Sequence, residues 1–203
     1  MNSKYVNNDP MHKKWEEQYN AQPKDVRDRL DKLNNMHPNE YQLKVIKRKR
    51  TALTDGDIFV LSPQDGIYFY GKVTKTNIQH IGGDSFINGQ NLIFIFKCKS
   101  KEATLENYKP DYDNLLIEPS IVGKSYWTSG YFYTIGNEAI SEVEKNLDYG
   151  FYKTYPSKVI YYKENGVEMD HQPSLLGVCG ITTITGIAYY VTRELILDPS
   201  VIY

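Results

Sequence analysis

The sequence predicts an α+β protein: a mainly antiparallel β-sheet or small, partly open barrel, with a helical N-terminal extension and one or two short helices packed on the sheet. Three observations support this fold class. Apolar residues alternate with a period of two in several segments between residues 58 and 135, turn residues separate those segments, and apolar residues recur at helical spacing near both ends of the chain.

Length and composition favour a single core. The chain has 203 residues, of which 40% are apolar and 24% are charged, as is usual for a globular protein. We expect residues 1–45 to form the helical extension and residues 46–203 to form the β-rich domain. The polar composition of the extension predicts an arm that lies on this domain or on a partner, not a second core.

Two helices are expected in the extension. The first begins at Asp9-Pro10, because Asp caps helices and Pro is favoured at the first helical position. Pro23 separates the two helices, and His37-Pro38 ends the second. Each helix carries a narrow apolar stripe, with Met11, Trp15 and Tyr19 in the first and Val26, Leu30 and Leu33 in the second.

The densest strand signals lie between Asp55 and Cys98. An apolar run, Ile58–Leu61, leads through a turn cluster into Ile67–Val73, and this predicts a hairpin of half-buried strands. In the second of these strands Tyr70 and Lys72 fall on the more polar face. Leu92–Cys98 is apolar on both faces, which predicts a strand in the middle of the sheet.

The remaining elements follow in order. Leu115–Ile117 and Tyr126–Ile135 are expected to be strands, and Asn137 is expected to cap a short helix whose apolar stripe is Ile140, Val143 and Leu147. Asn165-Gly166 is a strong cue for a hairpin between Val159–Lys163 and Gly166–Met169. Near the C-terminus we expect a strand through Ile184 and a helix over Ile187–Leu197.

Neither a membrane span nor export is expected. Leu175–Val191 is free of charge and long enough to cross a bilayer, but its glycines and threonines dilute its hydrophobicity, so a buried strand followed by a helix is favoured. Met1–Tyr5 lacks the apolar core of a signal peptide. Cys98 and Cys179 lie in apolar surroundings, which favours a reducing compartment, and we expect a cytoplasmic protein.

Metal and nucleotide sites are also not expected. The four histidines, His12, His37, His80 and His171, are isolated from one another and from cysteine, so no zinc-binding pattern is present. Gly123-Lys124-Ser125 imitates the end of a phosphate-binding loop, but the glycine that this motif requires is replaced by Glu118. We therefore expect no cofactor.

Two catalytic arrangements can be drawn from the sequence, and neither is favoured. A cysteine hydrolase would use Cys179 or Cys98 as nucleophile, His171 as base and Asp170 to orient it, yet both cysteines are in apolar runs. Asp111 and Asp113 could form an acid–base pair, but their surroundings favour the capping of turns. The sequence thus predicts a protein that is not an enzyme.

Nucleic-acid binding remains open as an alternative function. Lys44–Arg50 is the most basic run of the chain, and next to a Tyr-rich sheet it could mark a small β-barrel-like nucleic-acid-binding protein. Against this, the net charge is −1 and Glu40, Asp55 and Asp57 flank the run. We therefore expect a solvated linker or edge element here, and no nucleic-acid partner.

A family resemblance takes the prediction further. The segments Gly56–Leu61 and Asp65–Val73 combine a Gly-Asp step, an apolar strand, an Asp-Gly turn and an aromatic-Gly-basic-Val strand. In this they resemble the opening of the immunity protein 26 family of bacterial polymorphic-toxin systems. The likeness covers Arg50 to Leu197, about three quarters of the chain, and leaves the N-terminal extension outside.

The resemblance implies a small cytoplasmic protein that binds and neutralises a cognate toxin, such as a nuclease, and it implies no catalytic residues. We expect the toxin-binding patch to contain Tyr126, Trp127, Tyr131, Asp111 and Asp113. Aromatic side chains supply anchoring area, and acidic groups would oppose a basic nuclease cleft. The alternative for Trp127 is a place in the core.

Overall fold

A five-stranded antiparallel sheet forms the centre of the computed structural model, which describes residues 9–50 and 52–201. Its strands follow the order β4-β3-β2-β1-β5. They are β1 (Asp57–Gln64), β2 (Ile67–Lys75), β3 (Asn91–Ser100), β4 (Leu115–Val122) and β5 (Tyr133–Asn137). The expected first hairpin and the central position of β3 are therefore confirmed. Met1–Tyr5, where we expected no signal peptide, lie outside the described residues.

A second, smaller sheet has the strand order β8-β7-β6-β9. Its strands are β6 (Tyr149–Thr154), β7 (Val159–Tyr162), β8 (Glu168–Met169) and β9 (Leu175–Val178). The β7–β8 pair is the hairpin expected around Asn165-Gly166, and the turn glycine has a φ of +86°, which favours glycine. The β6–β9 pair is parallel, which the sequence did not reveal. Both sheets are open, so within the described residues the α+β class takes the form of open sheets and not of a barrel.

Helices lie at both ends of the chain and in two of its connections. They are α1 (Pro10–Asn20), α2 (Lys24–Asn34), α3 (Ser125–Thr128), α4 (Glu142–Lys145) and α5 (Ile184–Leu197). The two helices of the extension are confirmed, and the Asp9 carboxylate caps the first by accepting hydrogen bonds from the backbone N–H groups of Met11 and His12. In the described part of the chain, no helix is long and apolar enough to cross a membrane.

The five-stranded sheet has an apolar core on each face. On what we call the first face, Phe59 and Ile95 pack with Trp127 and with Ile187 of α5. On the second face, residues such as Phe94 pack with Phe151 of the smaller sheet. Because both faces are covered, the strands expected to be half-buried are buried on both sides, as a middle layer of a three-layer arrangement must be.

The N-terminal helices dock on α5 and β4. Trp15 lies 5.5 Å from Tyr190 between ring centroids, and the buried Arg193 guanidinium lies 4.8 Å from the Trp15 ring centroid and donates to Gln18 at 2.9 Å. Lys14 pairs with Glu118 of β4 at 2.6 Å. The arm expected from the sequence thus lies on the rest of the chain, while the domain division at residue 45 stays a prediction.

Three sequence-based elements were wrong in detail. Tyr126–Ile135 is not one strand, because α3 occupies its start and Gly130, with a φ of +89°, reverses the chain before β5. Asn137 caps no helix. It ends β5 and donates its amide to Asp57, while Ser141 caps α4.

The C-terminal strand also ends earlier than expected. It stops at Val178, and Ile181 makes a single bridge to Ile121 of β4. The helix then begins at Ile184 because the Thr183 hydroxyl accepts a hydrogen bond from the N–H of Gly186, which starts the helix three residues before the expected position.

Candidate partner-binding surface

The two aromatic residues expected to anchor a partner lie in the core. Tyr126 is 1% exposed and Trp127 is 2% exposed, and both pack with Phe132 on the first face. Their polar atoms are satisfied internally, since the Tyr126 hydroxyl donates to the Thr182 carbonyl at 2.7 Å and the Trp127 indole donates to Thr134 at 3.0 Å. In this conformation the two rings offer no surface to a partner, which supports the core alternative for Trp127.

The other three expected contact residues lie on opposite sides of the central sheet. Tyr131 is half-buried and packs against the first-face core. Asp111 and Asp113 are exposed in the loop between β3 and β4, and Tyr112 between them packs into the second-face core. The structure therefore does not bring the five residues together in one patch.

The turn around Asp111 holds the acidic loop in shape. The Asp111 carboxylate accepts a hydrogen bond from the backbone N–H of Asp113 at 3.1 Å, and the Asp111 carbonyl accepts one from Asn114 at 3.3 Å. This is the turn-capping role expected from the sequence. The carboxylate of Asp113 remains exposed and makes no ion pair with the described residues.

Asp113 lines an acidic groove whose opposite wall is α4. Glu142 and Asp148 add two further carboxylates, and the groove has a volume of about 550 Å³. Apolar surface lies between these acids, because the side chain of Val143 is 73% exposed and Leu147 and Leu175 also line the groove. The described residues that line the groove include no lysine or arginine, but exposed Lys145 of α4 lies beside it and pairs with Glu142 at 2.6 Å.

The sequence pattern indicated a helix near α4, but the face predicted to be buried was wrong. Val143 was expected to point inward with Ile140 and Leu147, whereas Glu144 is the residue of α4 that becomes buried. A helix of four residues cannot present a full apolar stripe, and its orientation is set instead by the polar contacts of Glu144. The exposure of Val143 is therefore a consequence of the burial of the Glu144 carboxylate.

That buried carboxylate fixes the groove to the central sheet. Glu144 accepts hydrogen bonds from Lys72 of β2 at 2.7 Å and from the Tyr112 hydroxyl at 2.6 Å, and it forms a reciprocal capping box with Ser141. Burial alone would raise the pKa of Glu144, but these donors outweigh burial and lower that pKa to about 2. Both walls of the groove, α4 and the loop that carries Tyr112, are thus joined through the Glu144 carboxylate.

A second ionic cluster borders the groove at Asp148. This carboxylate accepts hydrogen bonds from the backbone N–H and hydroxyl of Ser174, each at 2.8 Å, and lies 2.9 Å from a His171 ring nitrogen. The other His171 nitrogen lies 2.8 Å from Asp170. The contact with His171 is the main reason that the pKa of Asp148 falls to about 2, and the two carboxylates raise the pKa of His171.

This geometry does not support the cysteine-hydrolase hypothesis. Both nitrogens of His171 are engaged by carboxylates and not by a thiol. Burial raises the pKa of Cys179 and of Cys98, which disfavours the thiolate that a nucleophile needs. Among residues 9–50 and 52–201, no group of three or more His, Cys, Asp or Glu is arranged to hold a metal ion.

Comparison with known proteins identifies one family. Residues 54–157, just over half of the chain, match the family model for Immunity protein 26, and this span contains strands β1 to β6. The resemblance noted from the sequence ran on to Leu197, and residues 158–197 lie outside the match. No curated protein and no solved structure shows a significant similarity to the chain. The chain belongs to the immunity protein 26 family.

Proposed function

We propose that this chain is a bacterial immunity protein that binds a cognate polymorphic toxin in a fixed ratio and so neutralises it. The family match carries this proposal. A protein of this kind acts by occupying its partner and needs no catalytic residues of its own. The proposal places it in the cytoplasm, where an incoming toxin would act.

The acidic groove is the proposed contact surface. Its carboxylates suit a basic surface such as the substrate cleft of a nuclease, and complementary charge speeds association and sets orientation. Asp113 is exposed, and Glu142 pairs only with exposed Lys145, a solvated contact that a cation of the toxin can replace. Exposed Val143 provides an apolar anchor in a groove that Asp113, Glu142 and Asp148 also line. The Glu144 network holds both walls in place before binding, which lowers the entropic cost of association.

The experiment is a binding titration with the protein encoded by the adjacent reading frame. We expect one complex of defined ratio by light scattering and calorimetry. Reversing two charges, with Asp113→Lys and Glu142→Lys together, should weaken binding at least tenfold. The matched control is Glu16→Lys with Glu168→Lys, which makes the same charge change at two exposed residues outside the groove and should leave affinity within about twofold.

Tyr131 provides the test of which face binds. Because it packs on the first face, Tyr131→Ala should leave toxin affinity unchanged if the acidic groove is the interface. If Tyr131→Ala abolishes binding while the double charge reversal does not, the interface lies on the opposite side of the central sheet. The failure to form any complex with the adjacent gene product would contradict the proposed function itself.

A further inference from the structure

The basic run of the sequence lies beside β1 of the central sheet, with Lys44, Lys47, Arg48 and Arg50 exposed and Lys49 half-buried. Residues 41–50 form an extended segment, which backbone hydrogen bonds hold to the turn after α3. The Ile46 N–H donates to the Gly130 carbonyl at 2.8 Å and the Lys49 N–H donates to the Trp127 carbonyl at 3.0 Å. We use the name basic strip for Lys47, Arg48, Lys49, Arg50 and the neighbouring Lys124.

Among the described residues, the acidic residues that flank the run in sequence form no ion pair with the strip. Asp55 accepts hydrogen bonds from the backbone N–H and the hydroxyl of Thr76, at 2.6 and 2.7 Å. Asp57 accepts hydrogen bonds from Thr54 and Asn137. Glu40 caps its own turn by accepting from the backbone N–H of His37. These carboxylates therefore orient toward these donors and not toward the cations of the strip.

One lysine of the run does form an ion pair with a carboxylate. Lys44, which precedes the strip, lies 3.7 Å from the carboxylate of Asp65. In the part of the chain that the structure describes, the five residues of the basic strip form no such ion pair. The Lys47 ammonium instead lies 5.4 Å from the centroid of the Tyr133 ring, which keeps its charge at the surface.

The strip also has a concave part. Lys49, Arg50 and Lys124 line a groove of about 380 Å³, and Leu53 contributes apolar wall. Cations therefore converge from two separate segments, the extended run and the start of α3. Such convergence concentrates positive potential beyond what four consecutive residues alone would give.

We propose that the basic strip binds the phosphate backbone of nucleic acid, without sequence preference. A nucleic acid gains more than an acidic protein does from five cations that have no ion-pair partner among the described residues. Each phosphate contact releases condensed counterions, whereas isolated ion pairs on a protein surface contribute little. This function is separate from toxin binding, since the strip and the acidic groove share no residue.

The test is fluorescence anisotropy with a labelled 20-nucleotide single strand and a duplex of the same length, over a series of salt concentrations. For the single strand we expect a Kd of roughly 10⁻⁶ to 10⁻⁴ M near physiological salt, and a slope of log K against log salt of about −3 if four phosphates are engaged. Arg48→Gln with Arg50→Gln should weaken binding roughly tenfold and make the slope shallower by about 1.4.

Two controls isolate the strip. Lys101→Gln with Lys158→Gln removes the same charge from exposed lysines elsewhere and should leave affinity within about twofold. Lys44→Gln tests a lysine of the same run whose charge is already paired, and it too should have little effect. Unchanged melting curves and retained toxin binding by the Arg48 and Arg50 variant would separate this result from misfolding and from the proposed immunity function.

The proposal is overturned by any of three results. Nucleic acid fails to bind at 50 mM salt, or the control variants weaken binding as much as the strip variant does. Alternatively, polyglutamate competes as well as nucleic acid at equal charge, which would assign the strip to an acidic protein. None of these results bears on whether the toxin complex forms.

Discussion

The two faces of the five-stranded sheet are covered in different ways. On the first face the contacts are apolar: the Phe59 and Phe132 rings stack with centroids 4.5 Å apart, and Ile187 of α5 is fully buried against the sheet. The second face is also apolar, but two buried carboxylates, Glu144 and Glu164, are inserted at its border. The first face is thus held by apolar burial with neutral hydrogen bonds at its edge, and the second face also by buried ionic contacts.

The two carboxylates have matching surroundings. Each accepts from a lysine of β2 and from a tyrosine hydroxyl. Lys72 and Tyr112 bind Glu144, and Lys75 and Tyr149 bind Glu164, with contacts between 2.5 and 2.7 Å. Both tyrosines also pack edge-on against Phe94, at centroid distances of 5.1 and 5.7 Å. Part of the unusual tyrosine content therefore serves to bury charge next to an apolar core.

A strand irregularity makes the pairing possible. Lys72 and Lys75 are three residues apart, so in a regular strand they would point to opposite faces. The register of β2 against β3 shifts between Val73 and Lys75, which lets both lysines reach the second face. The difference between the faces teaches that burial holds the layers together, while the ionic contacts place α4 and the β7–β8 turn, the elements that form surface.

The largest expected effect is the removal of one partner of the more buried pair. The side chain of Lys72 is 2% exposed and that of Glu144 is 6% exposed. Glu144→Ala leaves this buried cation with only the longer contact to exposed Glu138, at 3.9 Å, and should lower the free energy of unfolding by about 3–5 kcal/mol. Urea denaturation at pH 7 measures this. The double variant Lys72→Met with Glu144→Leu should recover part of the loss, and a loss below 1 kcal/mol in the single variant would contradict the ionic account.

Truncation of an apolar side chain on the first face should lower the free energy of unfolding by as much as Glu144→Ala or less, because it removes apolar packing and not an ionic contact. Ile187→Ala removes buried apolar volume and should lower the free energy of unfolding by about 2–4 kcal/mol. The cost should be the same at pH 3 as at pH 7, because no titrating group contacts this cavity by an ionic bond. If the loss of unfolding free energy in Ile187→Ala depended strongly on pH, the two faces would not differ in their use of ionic contacts.

Acid should weaken the second face selectively. The pKa of Glu144 is about 2 in the folded chain and lies below its unfolded value near 4.3. Its contribution is therefore present above about pH 4.3 and is lost as the pH falls towards 2. The deficit of Glu144→Ala relative to the wild type should shrink over this range, as measured by urea denaturation at several pH values, whereas a constant deficit would argue against the assignment.

The second pair should matter less than the first. Lys75 is 44% exposed, so Glu164→Gln leaves a lysine that water can solvate, and we expect a loss of about 1–2 kcal/mol. Denaturation of this variant beside Glu144→Gln ranks the two sites. If Glu164→Gln lost more unfolding free energy than Glu144→Gln, burial of the paired lysine would not determine which ion pair stabilises the fold more.

The smallest effect is expected at the exposed His171 cluster. Two carboxylates raise the pKa of His171 above its usual 6.5, so its stabilising contribution is fully present below that pH and is lost as the pH rises through the folded value. Thermal melts of the wild type between pH 6 and pH 8 should show a small decline that His171→Ala removes. Parallel curves for the two proteins would contradict this.

Local patterns in the sequence account for much of this fold, and tertiary contacts account for what the sequence missed. The alternation in Ile58–Leu61 and Ile67–Val73 was sufficient to predict the first hairpin. The period-two pattern of Tyr126–Ile135 was misleading, because Trp127 and Phe132 both turn inward around Gly130 to pack on Phe59. A local pattern cannot show that the chain reverses between two aromatic residues.

The candidate surface was less predictable than the fold. Asp113 was found because acidic residues in a turn are visible in the sequence. Glu142 and Val143 were missed as candidates for the proposed surface, since their exposure depends on Glu144 reaching Lys72 from 72 residues away. Burial of Lys72 was missed for the same reason, because the strand pattern does not show that a second sheet covers the polar face.

The most direct test of the immunity function is growth of bacteria that express the toxin encoded next to this chain. We predict that co-expression of the wild-type chain restores growth, that the Asp113→Lys and Glu142→Lys variant does not, and that the Glu16→Lys and Glu168→Lys control does. Toxicity that persists with the wild-type chain present at equal or higher concentration would contradict the proposal.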